Sequence, residues 1–258
     1  MTDYDFNIWE GVYEDWDKVA ADEGFFESDL WVNKVSSLAQ SHLEAYQASD
    51  ITVSVSTTRD YILPIVASMV ELSEGETLRV LDFGGGLAAI YFQLITALPE
   101  PNKVEFHIVE AEAVCVRGKK IFSSQPNIHF HSKFPELQGP VHIIHSGSGL
   151  QYIQDWEGLI ASFAEYKPQY FILADMMAGD IKTFVTIQNF YGKKIRSRFL
   201  NIKELLAATK RLGFRLIYKS RYLKETRGIM GPLPMENFEK EYRLAHASQI
   251  LFRWKGEK

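Results

Sequence analysis

The run Val80-Leu81-Asp82-Phe83-Gly84-Gly85-Gly86-Leu87-Ala88 sets a strand, three glycines and the opening of a helix end to end. Few architectures accept it. Glycines let the main chain turn sharply and come close to a ligand, while the free amides of a helix start offer hydrogen bonds. Such a turn after a first strand is characteristic of a doubly wound parallel sheet. The texture around it agrees. Short β-rich runs at 78–83, 104–109, 128–130, 141–145 and 170–174 alternate with helical periodicity at 87–98, 113–123 and 155–166. A further helix at 202–212 stops at Gly213 and leads into runs at 214–222 and 249–254. The link between those last two contains Gly228 to Pro234 and no long helical pattern, so they are expected to pair antiparallel at the sheet edge. The expected fold is therefore α/β: a doubly wound, Rossmann-like sheet of five parallel strands plus a terminal antiparallel pair.

Upstream, apolar positions recur at helical spacing over 31–46, and a second helix is expected from an N-cap at Ser56 or Thr57 to Gly75, with Pro64 in its first turns. The simplest division is an acidic, mainly helical extension over 1–55 followed by one α/β domain over 56–258. No internal repeat or low-complexity linker divides the chain further.

At 258 residues, 46% hydrophobic and 24% charged, the chain has the composition of an ordinary globular protein. The longest apolar stretch, Ile62 to Val70, contains Pro64 and Ser68 and falls far short of the roughly 20 residues a spanning helix needs. The acidic start Met1-Thr2-Asp3-Tyr4-Asp5 predicts no secretory leader. Cys115 is the single cysteine, which excludes an internal disulfide and suits a cytoplasmic location. Charge is unevenly placed. Residues 1–30 hold ten acids and one base, whereas 182–227 hold thirteen bases and two acids. Such a block can attract an anionic substrate, a nucleic acid or a lipid headgroup, or complement the acidic segment within the fold.

Two ligand classes compete for the glycine turn. Gly84-x-Gly86-x-x-Ala89 followed by Glu110 would suit a dinucleotide, with the acid on a ribose. Asp82 opposes it, because a carboxylate two residues before the first glycine lies where a pyrophosphate should bind, and like charges in a partly desolvated cleft repel. S-adenosylmethionine carries no phosphate, and its ammonium and sulfonium are favoured by a carboxylate. Asp82, Gly84, Gly85 and Gly86 are therefore expected to hold that donor, with Glu110 on its ribose hydroxyls.

These residues also resemble the class I S-adenosylmethionine-dependent methyltransferases over 56–258. More narrowly, the chain is similar to a family of methyltransferases encoded in bacterial surface-polysaccharide gene clusters. The residues that carry this are Trp9-Glu10-Gly11-Val12-Tyr13, Leu81 to Leu87 with Tyr91-Phe92, Val109-Glu110 with Gly118, Gly149 to Ile153, and Thr183 to Gly192. The resemblance implies a hydroxyl of a nucleotide- or lipid-linked sugar, an anionic sugar conjugate, as acceptor in surface-glycan assembly. Two departures stand out. Ala88 takes the place of a third glycine, and His129-Phe130-His131-Ser132-Lys133 lacks the acid that often meets the adenine amino group, which leaves that contact to Ser132 or a carbonyl.

Methyl transfer from a sulfonium needs alignment, exclusion of water and, for a hydroxyl acceptor, removal of a proton. Candidates for the last task sit after the fourth and fifth strands. His145 has an ordinary pKa of roughly 6.5, suited to a base near neutral pH, and Asp175 could orient or deprotonate a hydroxyl. Ser146 is a donor contact by position. Gln188, Asn189, Tyr191, Lys193 and Arg196 lie in an aromatic, basic segment that could hydrogen-bond a sugar or clamp a phosphate. Among the seven histidines, His129 and His131 share a strand face but His142 and His145 do not, so no three-ligand metal set is apparent and metal-independent chemistry is expected. Three other readings remain open at this level: a nicotinamide-dependent oxidoreductase, a nucleic-acid methyltransferase or binding module, and a non-catalytic scaffold of the same fold. The pI near 5.8 speaks against nucleic acid.

Overall fold

The computed structural model describes residues 6–48, 61–226 and 229–256. In chain order its elements are β1 (Trp9–Tyr13), α1 (Asp29–Ala48), α2 (Ile62–Ser68), β2 (Leu78–Phe83), α3 (Ala89–Ile95), β3 (Val104–Val109), α4 (Glu112–Ile121), β4 (Ile128–His131) and β5 (Ile143–Gly147). They continue with α5 (Trp156–Glu165), β6 (Tyr170–Met176), β7 (Ala178–Gly179), β8 (Phe184–Phe190), β9 (Lys193–Asn201), α6 (Ile202–Arg211), β10 (Phe214–Tyr222), β11 (Lys224–Thr226), β12 (Ile229–Gly231) and β13 (Ala247–Trp254). The main sheet has seven strands in the order β10–β13–β6–β5–β2–β3–β4. Most are parallel: β2 pairs in parallel with β3 and β5, and β3 with β4. The pair β10–β13 is antiparallel.

Contacts gather the described residues into two compact units. One holds Phe26–Gly147 with Glu165–Ile172; the other holds the residues up to Phe25, Ser148–Ala164 and those from Leu173 onward. The first contains the glycine turn. Val80 and Leu81 of β2, Phe106 and Ile108 of β3, and Ile143 and Ile144 of β5 are essentially inaccessible, as expected of parallel strands covered on both faces. Helix α4 lies close against β4 because residue 118 is glycine; a Cβ there would press into the Phe130 ring. Pro64 is the third residue of α2, within the first turn, where its missing N–H costs no helical bond. The expected caps Ser56 and Thr57 lie outside the described residues, and α2 begins later, at Ile62.

The second unit is built on a hairpin where the sequence predicts only an aromatic, basic segment inserted at about 180–200. Strands β8 and β9 pair antiparallel from Phe184↔Phe199 to Phe190↔Lys193. Tyr191 and Gly192 form the turn, with φ of 50° and 76°, the left-handed conformations that a two-residue hairpin with right-handed twist requires. The N-terminal segment, expected to be mainly helical, adds β1 to the open edge of β8, with Trp9 opposite Gln188 and Tyr13 opposite Val185. Its side chains explain why. Trp9 is 2% exposed and meets Phe199 edge-on at 5.5 Å, in a core with Phe184, Phe238, Met177 and Leu244. Beyond the hairpin, α6 is capped by Asn201, whose side chain accepts from the Lys203 amide at 2.8 Å. Gly213, at φ 85°, ends it.

Candidate functional site

The glycine turn is held by hydrogen bonds to the end of the neighbouring strand. Gly84, at φ 69°, donates its amide to the Val109 carbonyl at 3.0 Å. Gly86, at φ 57°, donates to Glu110 Oε1 at 3.1 Å, and the Ala111 amide donates to Glu110 Oε2 at 2.8 Å. Burial raises the Glu110 pKa above its ordinary value; the two amides oppose that shift and the nearby Asp82 charge adds to it. Ala88 sits in the left-handed region at φ 60° with its methyl group buried, as the residue before α3. The small side chain at this departure from glycine is thus accommodated.

Asp82 is 1% exposed at the inner end of the turn. Its register partner across β5 is His145, and the His145 Nδ1–H donates to Asp82 Oδ1 at 2.7 Å. Among the described residues, Asp82 Oδ2 has no hydrogen-bond partner. A Cβ at residue 85 would collide with that same carboxylate, so glycine at 85 is what leaves the acid room. Buried carboxylate oxygens are rarely left unsatisfied, and one beside a glycine turn indicates a site built for a donor group or a cation. Ser146, adjacent to His145, is also buried, with its hydroxyl unpartnered among the described residues, whereas Ser132 is exposed after β4.

In the second unit, Asp175 is 7% exposed and holds φ 49°, an uncommon conformation for a buried non-glycine residue. The Ser148 hydroxyl donates to its Oδ2, and Ser148 itself has φ 59°. This pairing was not legible in the sequence. Gln188 is buried and accepts from the Tyr152 hydroxyl at 3.0 Å, while burial pushes that phenol up to about 12. Asn189 donates its side-chain amide to the Asn7 carbonyl at 2.8 Å, and Tyr191 stands exposed at the hairpin turn. The bases meet the acidic N-terminal segment: Lys193 Nζ lies 3.7 Å from Asp22, and Arg196 pairs with Glu23 and donates to the Val19 carbonyl. Arg198 lies over the Trp16 ring at 5.0 Å. The intramolecular use of the basic block is thus realised at these positions.

The strand register also brings together groups that sequence spacing hid. Glu105 and His107 on β3 and His129 on β4 present ligand-type atoms all within 4.8 Å of one another. The expectation that no three-ligand set exists considered His129 and His131 along one strand. It missed β3, whose His107 is the direct partner of His129.

No family model and no curated protein matches the chain. Solved structures do. A methyltransferase dependent on S-adenosylmethionine from Methanosarcina mazei superposes with a TM-score of 0.53 at 14% identity, over 75% of this chain and 98% of its own. One from Clostridium acetobutylicum gives 0.51 at 12%, over 87% and 99%. The chain has a Rossmann-like methyltransferase fold. Among the described residues, no helix is long and apolar enough to cross a membrane.

Proposed function

We propose that the chain is an S-adenosylmethionine-dependent methyltransferase acting on a small-molecule acceptor, a hydroxyl of a nucleotide- or lipid-linked sugar in surface-glycan assembly. The observation that carries the donor half is the buried Asp82 carboxylate, with one oxygen unpartnered, beside a turn whose Gly86 amide already serves a second carboxylate, Glu110. Two acids flanking the turn disfavour a pyrophosphate and favour a ligand that brings cationic and hydroxyl groups. That is why a nicotinamide dinucleotide fits poorly. The fold shared with methyltransferases of solved structure supports the same reading. The acceptor half rests on the resemblance carried by Thr183 to Gly192 and the other motifs.

When bound, S-adenosylmethionine supplies a methyl group on a sulfonium, already activated toward a nucleophile. In this reading Asp82 receives the donor's ammonium, and Glu110 accepts from its ribose hydroxyls through the lone pairs left by the Gly86 and Ala111 amides. His145 holds Asp82 in orientation through Nδ1. Ser146 offers its hydroxyl as a further donor contact, and the exposed Ser132 one toward the adenine. Asp175, turned by its left-handed backbone and joined by Ser148, takes the proton of the acceptor hydroxyl or orients it. Gln188, Asn189 and Tyr191 are proposed to hydrogen-bond the acceptor. Lys193 and Arg196, already paired with Asp22 and Glu23, contribute less charge to it than a free lysine and arginine would. Cys115 is buried and unbridged, in keeping with a reducing cytoplasm.

Calorimetric titration with S-adenosylmethionine and S-adenosylhomocysteine, alongside NAD and NADP in both redox states, tests the donor. Micromolar affinity for the sulfur nucleosides, lost in Asp82→Ala and Glu110→Ala, is the expected outcome. Binding of a nicotinamide cofactor instead would overturn the reading.

A further inference from the structure

We propose that Glu105, His107 and His129 form a binding site for a divalent zinc ion on the β3–β4 face of the sheet, separate from the glycine turn and independent of the methyltransferase reading. The alternation of a strand puts Glu105 and His107 on one face of β3, and His129 and His131 on one face of β4. The parallel register then places His107 directly beside His129. Phe130 points the opposite way, toward Gly118 of α4, so the histidine face is the one α4 leaves uncovered. The side chains of His129 and Glu105 remain 38% and 29% exposed, which gives an ion a route in.

The distances match the ion. Glu105 Oε1 lies 3.5 Å from His107 Nε2 and 3.5 Å from His129 Nε2. Zinc–ligand bonds of about 2.0–2.1 Å in a tetrahedron put neighbouring donor atoms roughly 3.3–3.4 Å apart. A separation of 3.5 Å is too long for a good hydrogen bond and close to the edge of that tetrahedron. The His107 and His129 rings stack at 4.7 Å and 19°, so the His129 ring, the more exposed of the two, has to turn to bring its Nε2 lone pair onto the ion; the other groups are held in place. Arg79 Nε binds Glu105 Oε2 at 2.7 Å, which aims the other oxygen at the two rings. His107 Nδ1 lies 3.0 Å from His131 Nε2, and with the proton on Nδ1 the His107 Nε2 lone pair is left free to ligate.

His107 supplies the independent observation. Its side chain is 4% exposed, and its buried Nε2, aimed at the cluster, has no hydrogen-bond partner among the described residues. Two imidazoles and a carboxylate, with a fourth position open to water, are a donor set that zinc accepts. Glu105 lies five residues before Glu110, about 17 Å along an extended strand, so the ion would take no part in the donor's contacts.

The test uses the full chain, stripped with a chelator and titrated with Zn2+ against a chromophoric competitor. Co2+ serves as a spectroscopic probe of coordination. One equivalent bound and the intense visible bands of four-coordinate cobalt are the expected results. His129→Ala, a half-exposed position that should not disturb folding, should weaken Zn2+ by at least about 100-fold, and Glu105→Gln by a similar factor. His131→Ala removes only the partner that orients His107 and should cost roughly 10- to 100-fold, and His131→Gln, which keeps an acceptor, should restore part of it. No stoichiometric uptake by the parent chain, or equal affinity in His129→Ala, would overturn the site. Loss of S-adenosylmethionine binding leaves all of these outcomes unaffected, so the two readings fail separately.

Discussion

Asp82 and His145 are joined by a hydrogen bond at the turn, and their variants should separate positioning from proton transfer. Asp82→Asn keeps the shape but removes the charge, and should weaken S-adenosylmethionine by about 10- to 100-fold, equivalent to roughly 1.4–2.7 kcal/mol. If His145 acts by holding Asp82, as the 2.7 Å contact indicates, His145→Gln should raise the donor Kd while leaving the pH dependence of the chemical step in place. A histidine acting as general base would show the reverse pattern: an unchanged Kd and a lost acid limb. Glu110 gives a second check. Its folded pKa is raised, so it takes up a proton at a higher pH than a free glutamate, and the carboxylate that should accept the ribose hydroxyls disappears as pH falls through that raised value. Donor affinity should therefore decline on acidification from a pH above 4.5, and Glu110→Gln should flatten that limb. Folding stability carries the opposite sign. A raised acid pKa means the folded chain binds the proton more tightly, so this residue lowers stability as pH rises from the unfolded value to the folded one.

Among the elements, β1 is the one whose anchoring rests most visibly on a single side chain. Trp9→Ala should cost roughly 3 kcal/mol, the low end of the range for large aromatic residues in a core, because β1 lies at a sheet edge. Urea denaturation would read this as a lowered midpoint; an unchanged midpoint would mean that β1 adds little to the unit. How well each element could be foreseen depends on where it lies. The boundaries of β2, β3 and β10 agree with the sequence, since the first two are short β-rich runs bounded by turn residues, Gly75 and Gly84 around one and Pro101-Asn102 before the other, and β10 follows the glycine that stops a helix. The β8–β9 hairpin was missed although Ile195, Ser197 and Phe199 are buried and alternate with Lys194, Arg196 and Arg198. The charges masked a period of two, and Tyr-Gly is a weaker turn signal than Asn-Gly. Asp82, the glycines and Glu110 stood out because each has a fixed place relative to one turn. The zinc set did not, because it depends on which residue of β4 lies beside His107, and spacing within either strand alone cannot supply that register.

At the scale of the molecule, thirteen bases over 182–227 would suggest a polyanion partner if they were free. Several are not. Lys182 pairs with Glu241, Lys193 with Asp22, Arg196 with Glu23 and Arg211 with Glu157. Exposed pairs of this kind contribute only about 0–1 kcal/mol each to stability, yet they cancel the field that would draw a nucleic acid. RNA binding should accordingly be weak at physiological salt and should not show the steep logarithmic salt slope of multiple phosphate contacts. A slope corresponding to several released counterions would restore the nucleic-acid reading. The glycine turn has a further implication. Its Gly84 and Gly86 amides are engaged by Val109 and Glu110 of the chain itself, so no stretch of backbone there has to be ordered when a guest arrives. Association at this turn should proceed as a single encounter, with an observed rate that climbs in proportion to ligand concentration and shows no plateau from a preceding rearrangement.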